Sequence, residues 1–275
     1  MGVAVKDVLR AELASNAAMP GRDVIREYLQ VRLLQGLQEA GASADMAFHG
    51  GTALRLLFRT PRFSEDLDFA VLRTDDAFDL GVVLREVRYA LVREGYDVEI
   101  ALKTTTAVHK AVVKFRGLLY EMRLSPLRDE VMMIKLEVDT NPPPGATVAT
   151  SRLPRGFGVP VRVVHHDRAT LLAGKIAAVL TREWVKGRDV FDLVWYAGNA
   201  EWPVPNLSYL NAAVAQSGWS GAQVTVDNWR GLAWERLTAD AQWETVRRDV
   251  ERFALAPGVV DMVSPEAVRE ALFGR

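Results

Sequence analysis

The sequence predicts an α/β fold of the α+β kind, with a mixed sheet and its helices in a first domain over residues 1–164 and a helical C-terminal domain over residues 165–275. Three observations carry this reading. Met46 to Phe48 is a short apolar run that breaks at Gly50-Gly51 and gives way to a helical pattern from Thr52 to Phe58, so it reads as strand, tight turn and helix. Alternation of apolar and polar residues then recurs at 66–71, 96–103, 107–115 and 131–140, the period-2 signature of half-buried strands. After Asp167 the apolar spacing becomes that of helices and stays so to the end.

Taken in order, helices are expected over 6–14 and 22–40, where Val8, Leu9 and Leu13, then Ile25, Leu29, Leu33 and Leu37, recur at helical spacing. Asp75 or Asp76 is placed to cap a helix running to about Glu94, with Leu80, Val83, Leu84, Val87 and Leu91 on its buried face and Gly95 closing it. Asn141-Pro142-Pro143-Pro144-Gly145 cannot lie in a central strand, because proline has no N–H to give the ladder; it reads as a linker or a loop tip. Val159 to Val164 is expected to add a strand. Asp167 then caps a helix carrying Leu171, Leu172, Ile176, Val179 and Leu180, and a second helix begins near Arg188 and ends by Gly198. Helical patterns follow around Tyr209, Trp229 to Leu237 and Trp243 to Phe253, and Ser264-Pro265 opens a terminal helix.

Composition narrows the function classes. A hydrophobic content of 49% over 275 residues is ample for a packed core. The absence of cysteine excludes a disulfide scaffold, thiol catalysis and any zinc site built on thiolates. No apolar run reaches membrane-spanning length, and Lys6, Asp7, Arg10 and Glu12 interrupt any signal-peptide core, so a soluble, cytoplasmic protein with no membrane partner is expected. A net charge of −1 argues against coating nucleic acid over the whole surface. Basic clusters are local: Arg55, Arg59 and Arg62 near the Gly-Gly turn, and Arg182, Lys186 and Arg188 further on, with a solvated helix face as the plain alternative.

The chemistry is concentrated in two places. Asp66 and Asp68 are two apart on a strand and share a face, while Leu67, Phe69 and Val71 point the other way into a core. Clustered carboxylates repel, and the usual remedy is a hard divalent cation, typically Mg²⁺ shared with substrate phosphates. Gly50 and Gly51 suit the close approach of backbone N–H groups to an anion at a helix N-terminus, and Thr52 is placed to cap that helix or to donate to phosphate. Lys135, Glu137 and Asp139 share a face of a neighbouring strand, which offers a third acid or merely a solvated polar face. Lys175 borders the apolar stripe of its helix, where an ammonium can meet triphosphate oxygens as a point charge. Asp192 is at i, i+4 from Arg188, so an intrahelical ion pair is expected for it. Ser64 and Glu65 are placed to position phosphate and Arg62. The late tryptophans and His165-His166 are expected to pack in the core or be solvated rather than to stack bases or bind metal.

Pro61-Arg62-Phe63-Ser64-Glu65-Asp66-Leu67-Asp68-Phe69 after Gly-Gly-Thr resembles the signature of the AbiEii/AbiGii-type nucleotidyltransferase toxins, and Lys175 through Lys186-Gly187-Arg188-Asp189-Val190-Phe191-Asp192-Leu193 is similar to their downstream block. The resemblance covers roughly residues 24–197. It implies a polymerase-β-like nucleotidyltransferase core that moves NMP from an NTP to an acceptor with Mg²⁺ or Mn²⁺. By resemblance, Asp66 and Asp68 are catalytic metal ligands, Glu137 is favoured over Asp139 as the third, Lys175 and Asp189 are catalytic, and Gly50, Gly51, Thr52, Arg62, Ser64 and Lys175 line the nucleotide. It also implies a toxin–antitoxin or phage-defence role, an RNA acceptor at the 3′ end of tRNA, and an AbiEi-type antitoxin encoded nearby. A protein or small-molecule acceptor, a glycosyltransferase using Asp-x-Asp, and a non-enzymatic nucleotide-binding module are the rivals.

Overall fold

A computed structural model describes residues 3–72, 78–154, 157, 160–240 and 242–274. The helices are α1 (Val3–Ser15), α2 (Gly21–Glu39), α3 (Gly50–Phe58), α4 (Leu80–Arg93), α5 (Leu118–Glu121), α6 (Arg168–Thr181), α7 (Gly187–Gly198), α8 (Leu207–Gln216), α9 (Trp229–Asp240), α10 (Trp243–Glu251) and α11 (Pro265–Phe273). The strands are β1 (Met46–His49), β2 (Leu67–Val71), β3 (Val98–Lys103), β4 (Val108–Phe115), β5 (Met132–Asp139), β6 (Val148–Arg152) and β7 (Arg162–His166). The residues divide into two units: 1–57, 65–141 and 150–165 form the first, while 58–64, 142–149 and 166–275 form the second. Two short segments read from the sequence as part of the first domain thus cluster with the helical one.

The seven strands form one mixed sheet in the order β3-β4-β5-β2-β1-β7-β6. β2 is central, antiparallel to β1 and parallel to β5. Leu67, Phe69 and Val71 are buried, as the alternation requires. β6 escaped the sequence reading because it ends the sheet and four of its five residues are exposed, so no apolar alternation marks it. α2 lays Ile25, Leu29, Leu33 and Leu37 into the core of this unit. α4 is capped by Asp79, whose carboxylate accepts from Gly81 and Val82 N–H; Asp75 and Asp76, the caps expected from sequence, lie outside the described residues. Val159 does too, and β7 begins only at Arg162.

In the second unit Asp167 caps α6 by accepting from Thr170 N–H, Asn206 caps α8, and Ser264 caps α11 ahead of Pro265. The proline-rich stretch is tied down rather than loose: Asn206 Nδ2 donates to Gly145 O at 2.8 Å, and Thr147 Oγ1 donates to Asp167 Oδ2 at 2.6 Å. Residues 58–64 are stitched to the C-terminal helices, with Phe63 N–H donating to Phe253 O at 2.8 Å and Arg62 bridged to Ala254. No described helix is long and apolar enough to cross a membrane.

Candidate active site

In the first unit, β1 runs into α3 through Gly50, whose φ of +76° belongs to the left-handed region. A Cβ added there would stand 2.3 Å from Asp68 Oδ2, so glycine is required both by backbone and by the carboxylate against it. α3 starts at Gly50, which puts Thr52 inside the first turn instead of at the cap; its buried hydroxyl donates to Asp66 O at 2.5 Å and ties the helix to the approach to β2. Gly50→Ala is expected to cost about 1–3 kcal/mol from backbone strain alone, with the clash in addition. Thermal melting checks this, and the cost should shrink in an Asp68→Gly background; equal melting of Gly50→Ala and wild type would refute the close approach.

Asp66 immediately precedes β2, Asp68 lies within it, and both are half-buried. Burial, followed by the charge of Asp68, pushes the Asp66 carboxyl above its ordinary value, while Lys135 acts the other way. The parallel register of β2 and β5 sets Asp68 beside Glu137 and Ala70 beside Asp139. Glu137 is therefore level with the aspartate pair, whereas Asp139 accepts from Asn141 N–H at 2.9 Å. Glu137 Oε1 is 3.0 Å from Lys110 Nζ. Among the described residues, no three His, Asp or Glu side chains form a ready-made cation cage. The donor set nonetheless suits a hard cation: it is all carboxylate oxygen, with two acids at and just ahead of the start of β2, a third in register with Asp68, and burial together with repulsion raising one of them.

A cavity of about 610 Å³ opens beside Asp66 in the same unit, lined also by Arg22, Arg26, Lys135, Leu119 and Met133. Of its cations, Lys135 was marked by the sequence, whereas Arg22 and Arg26 were not. Arg26 reaches Asp23 at 3.3 Å and Glu65 at 3.5 Å, so Glu65 is engaged by Arg26.

The second unit holds Arg62, Ser64, Lys175 and Asp189. Arg62 and Ser64 are buried. The Arg62 fork is bidentate on Asp192, Nε to Oδ1 and Nη2 to Oδ2, both at 2.6 Å, and Nη1 donates to Phe63 O at 2.9 Å. Asp192 thus pairs with Arg62 across 130 residues rather than with Arg188 one turn away. Lys175 Nζ is 2.7 Å from Asp192 Oδ2 and 3.0 Å from Asp189 Oδ1, and Arg182 also pairs with Asp189. Burial pushes the Asp192 carboxyl up, but Arg62 and Lys175 outweigh it and hold it below its ordinary value. Burial likewise opposes the Lys175 ammonium, and Asp192 and Asp189 more than offset it, so Lys175 stays charged. One sequence signal pointed here: Asp189 and Asp192 are i, i+3 on a helix whose face is otherwise apolar, and acids placed so need buried cations. His165 and His166 are buried, His165 Nε2 2.9 Å from Ser151 Oγ and His166 edge-on to Tyr209, as core histidines.

Comparison with known proteins adds identity to this geometry. The fold is similar to the crystal structure of JHP933 from Helicobacter pylori, with a TM-score of 0.54 at 20% identity over 91% of this chain and 90% of that one. A further H. pylori structure, provisionally assigned as a nucleotidyltransferase, aligns with a TM-score of 0.47 at 19% identity over 87% and 92% of the two chains. No match to a curated protein was found. The profile of the nucleotidyl transferase AbiEii toxins of type IV toxin–antitoxin systems matches residues 32–272, nearly the whole chain, and the protein belongs to that family.

Proposed function

We propose that the chain transfers a nucleoside monophosphate from an NTP to the 3′ end of tRNA and so arrests growth. The observation that supports this most is Asp68 on the central strand with Asp66 just ahead of it, Gly50 lying against Asp68, in a member of a nucleotidyl transferase family. In such a reaction the acceptor hydroxyl attacks the α-phosphorus in line as the bond to the departing pyrophosphate breaks. Asp66 and Asp68, with Glu137, would hold Mg²⁺ or Mn²⁺, which supplies neutralisation of charge on the phosphates. Gly50 leaves the Asp68 carboxylate room beside β1, and Thr52 fixes the backbone at Asp66 through its carbonyl. The cavity beside Asp66 has the volume for a nucleotide, within the range of about 300–1,000 Å³ usual for ligand sites. Type IV membership implies an antitoxin partner, which we place in a neighbouring gene.

Lys175 has three donors, two of which go to Asp189 and Asp192. We assign the third to a triphosphate oxygen, with Asp189 holding the ammonium in aim. Lys175→Ala is expected to lower kcat by about 10²-fold or more. Lys175→Arg should not restore it, because a planar fork cannot keep both carboxylates at the same points. Measuring kcat, NTP affinity and melting together separates this role from a structural one: unchanged kcat in Lys175→Ala would remove it.

The assignment of reaction and acceptor is tested by incubating the chain with NTPs labelled at the α- or the γ-phosphate and total RNA. Label entering RNA from the α-position alone supports nucleotidyl transfer. Sequencing RNA 3′ ends from cells expressing wild type or Asp68→Ala then tests the acceptor. Unaltered tRNA ends with α-label in protein or small molecules would move the reaction to another hydroxyl.

A further inference from the structure

The proposed function says nothing of how a chain with a net charge of −1 holds RNA, and two of the arginines near the Gly-Gly turn are spent internally, Arg55 on Glu27 and Arg62 on Asp192. The second unit offers a different surface. A groove of about 670 Å³ runs between the α6–α7 connection and α10 and is lined by Arg182, Lys186, Arg188, Arg248 and Arg252. Only Glu183 and Asp249 bring negative charge to the same lining. Arg182 is paired with Asp189, Arg188 is 3.9 Å from Asp249, and Arg248 is in an exposed pair with Glu244 that is worth little. Lys186 and Arg252 make no ion pair among the described residues. The groove thus carries a local positive field that the overall charge conceals.

Two further features shape it. Trp184 lines the groove and is 61% exposed, and among the described residues neither core packing nor a hydrogen bond accounts for an indole in that position. The start of α7 packs tightly on α10 beside it: Gly187 meets α10 so closely that an added Cβ would stand 2.1 Å from Val246 O, and Arg188 is stacked over the Phe253 ring at 4.4 Å. Cations along a groove with an open aromatic face are the means by which proteins hold single-stranded nucleic acid: phosphates meet the charges and a base stacks on the ring. An acidic peptide would use the charges but leave the indole face unused.

We propose that this groove binds single-stranded RNA, with one base stacked on Trp184 and phosphates on Lys186, Arg248 and Arg252. The inference rests on the reading that the acceptor is RNA and extends it to the surface that holds the strand. Its test is binding rather than transfer: fluorescence anisotropy of a labelled single-stranded RNA dodecamer against the full chain, in EDTA and without NTP. Wild type should bind with a shallow dependence on salt, a log–log slope of roughly −2 for the few phosphates engaged. Trp184→Ala should weaken binding by about tenfold and Trp184→Phe by much less. Lys186→Glu combined with Arg252→Glu should weaken it as much and flatten the salt dependence. Asp68→Ala should bind as wild type does, so that loss of transfer in that variant speaks only to the reaction and loss of binding in the groove variants only to the groove. Wild-type affinity in the groove variants, no binding by wild type, or preference for a poly-glutamate dodecamer over RNA would each overturn the proposal.

Discussion

Asp68→Ala is expected to abolish nucleotidyl transfer, by about 10³-fold or more, while the chain stays folded. Asp68 is half-buried on the central strand, its methylene replaced by a methyl group that still fits against Gly50, so the fold loses little. What it loses is one of the two carboxylates proposed to hold the cation. Asp66→Ala should be equally inactive. Stability against pH depends on the same pair. The folded-state pKa of Asp66 is raised, by burial first and then by Asp68, so stability is full below the ordinary aspartate range and declines as pH rises through the raised value. At neutral pH the ionised pair therefore costs stability unless a cation offsets it. Mg²⁺ should raise the melting midpoint of wild type and leave that of Asp68→Ala nearly unchanged, and in EDTA the variant should melt no lower than wild type. Melting with and without Mg²⁺, beside transfer of α-labelled phosphate, checks both. Transfer within tenfold of wild type by Asp68→Ala would sink the assignment.

Arg62→Ala is expected to produce the largest loss of stability of any single change considered. It strands Asp192, which is wholly buried, with Lys175 as its remaining cation, and it frees Phe63 O from its donor. Breaking a buried pair from one side costs about 3–5 kcal/mol, which for a chain of this size corresponds to a fall in melting midpoint of roughly 6–20 °C. Asp192→Asn in the Arg62→Ala background should recover part of it by removing the unpaired charge. The pH profile carries a second signature. Because the Asp192 pKa is lowered in the folded state, its contribution is present above the ordinary aspartate value and is lost as pH falls through the depressed one. Arg62→Ala should reduce that acid-side loss. Thermal melts from pH 7 down to about 3 measure it; a variant as stable as wild type throughout would mean that the pair contributes nothing.

What the sequence revealed and what it hid divide along physical lines. Local signals were legible: Asp167 and Ser264 as caps, and Leu67, Phe69 and Val71 as an inward face, because each depends on neighbours within a turn or a strand. The register that sets Asp68 beside Glu137 required strands 69 residues apart to find each other, and only the choice between Glu137 and Asp139 could be posed beforehand. Arg62 was read as one of a local basic cluster and, by resemblance, as a nucleotide contact, because nothing around it announces Asp192, and Thr52 was read as a cap or a donor to phosphate because its acceptor, the Asp66 carbonyl, is a backbone atom 14 residues on. Arg182, Lys186 and Arg188 were visible as a local basic cluster, but the groove at Trp184 also needs α10 to supply Arg248, and that meeting of two segments has no signature in either alone.

The span between Arg62 and Asp192 has a consequence for synthesis. At about 5–20 residues per second, Arg62 emerges from the ribosome roughly 7–26 s before its carboxylate exists, and Phe253, which receives the neighbouring backbone N–H, comes later still. Until then the 58–64 segment keeps a hydrated guanidinium and has no seat. A nascent chain can carry the Gly-Gly-Thr turn and both aspartates yet lack what anchors the residues leading into them, so the segment ahead of the aspartates is seated only after residues as far on as Phe253 have been made.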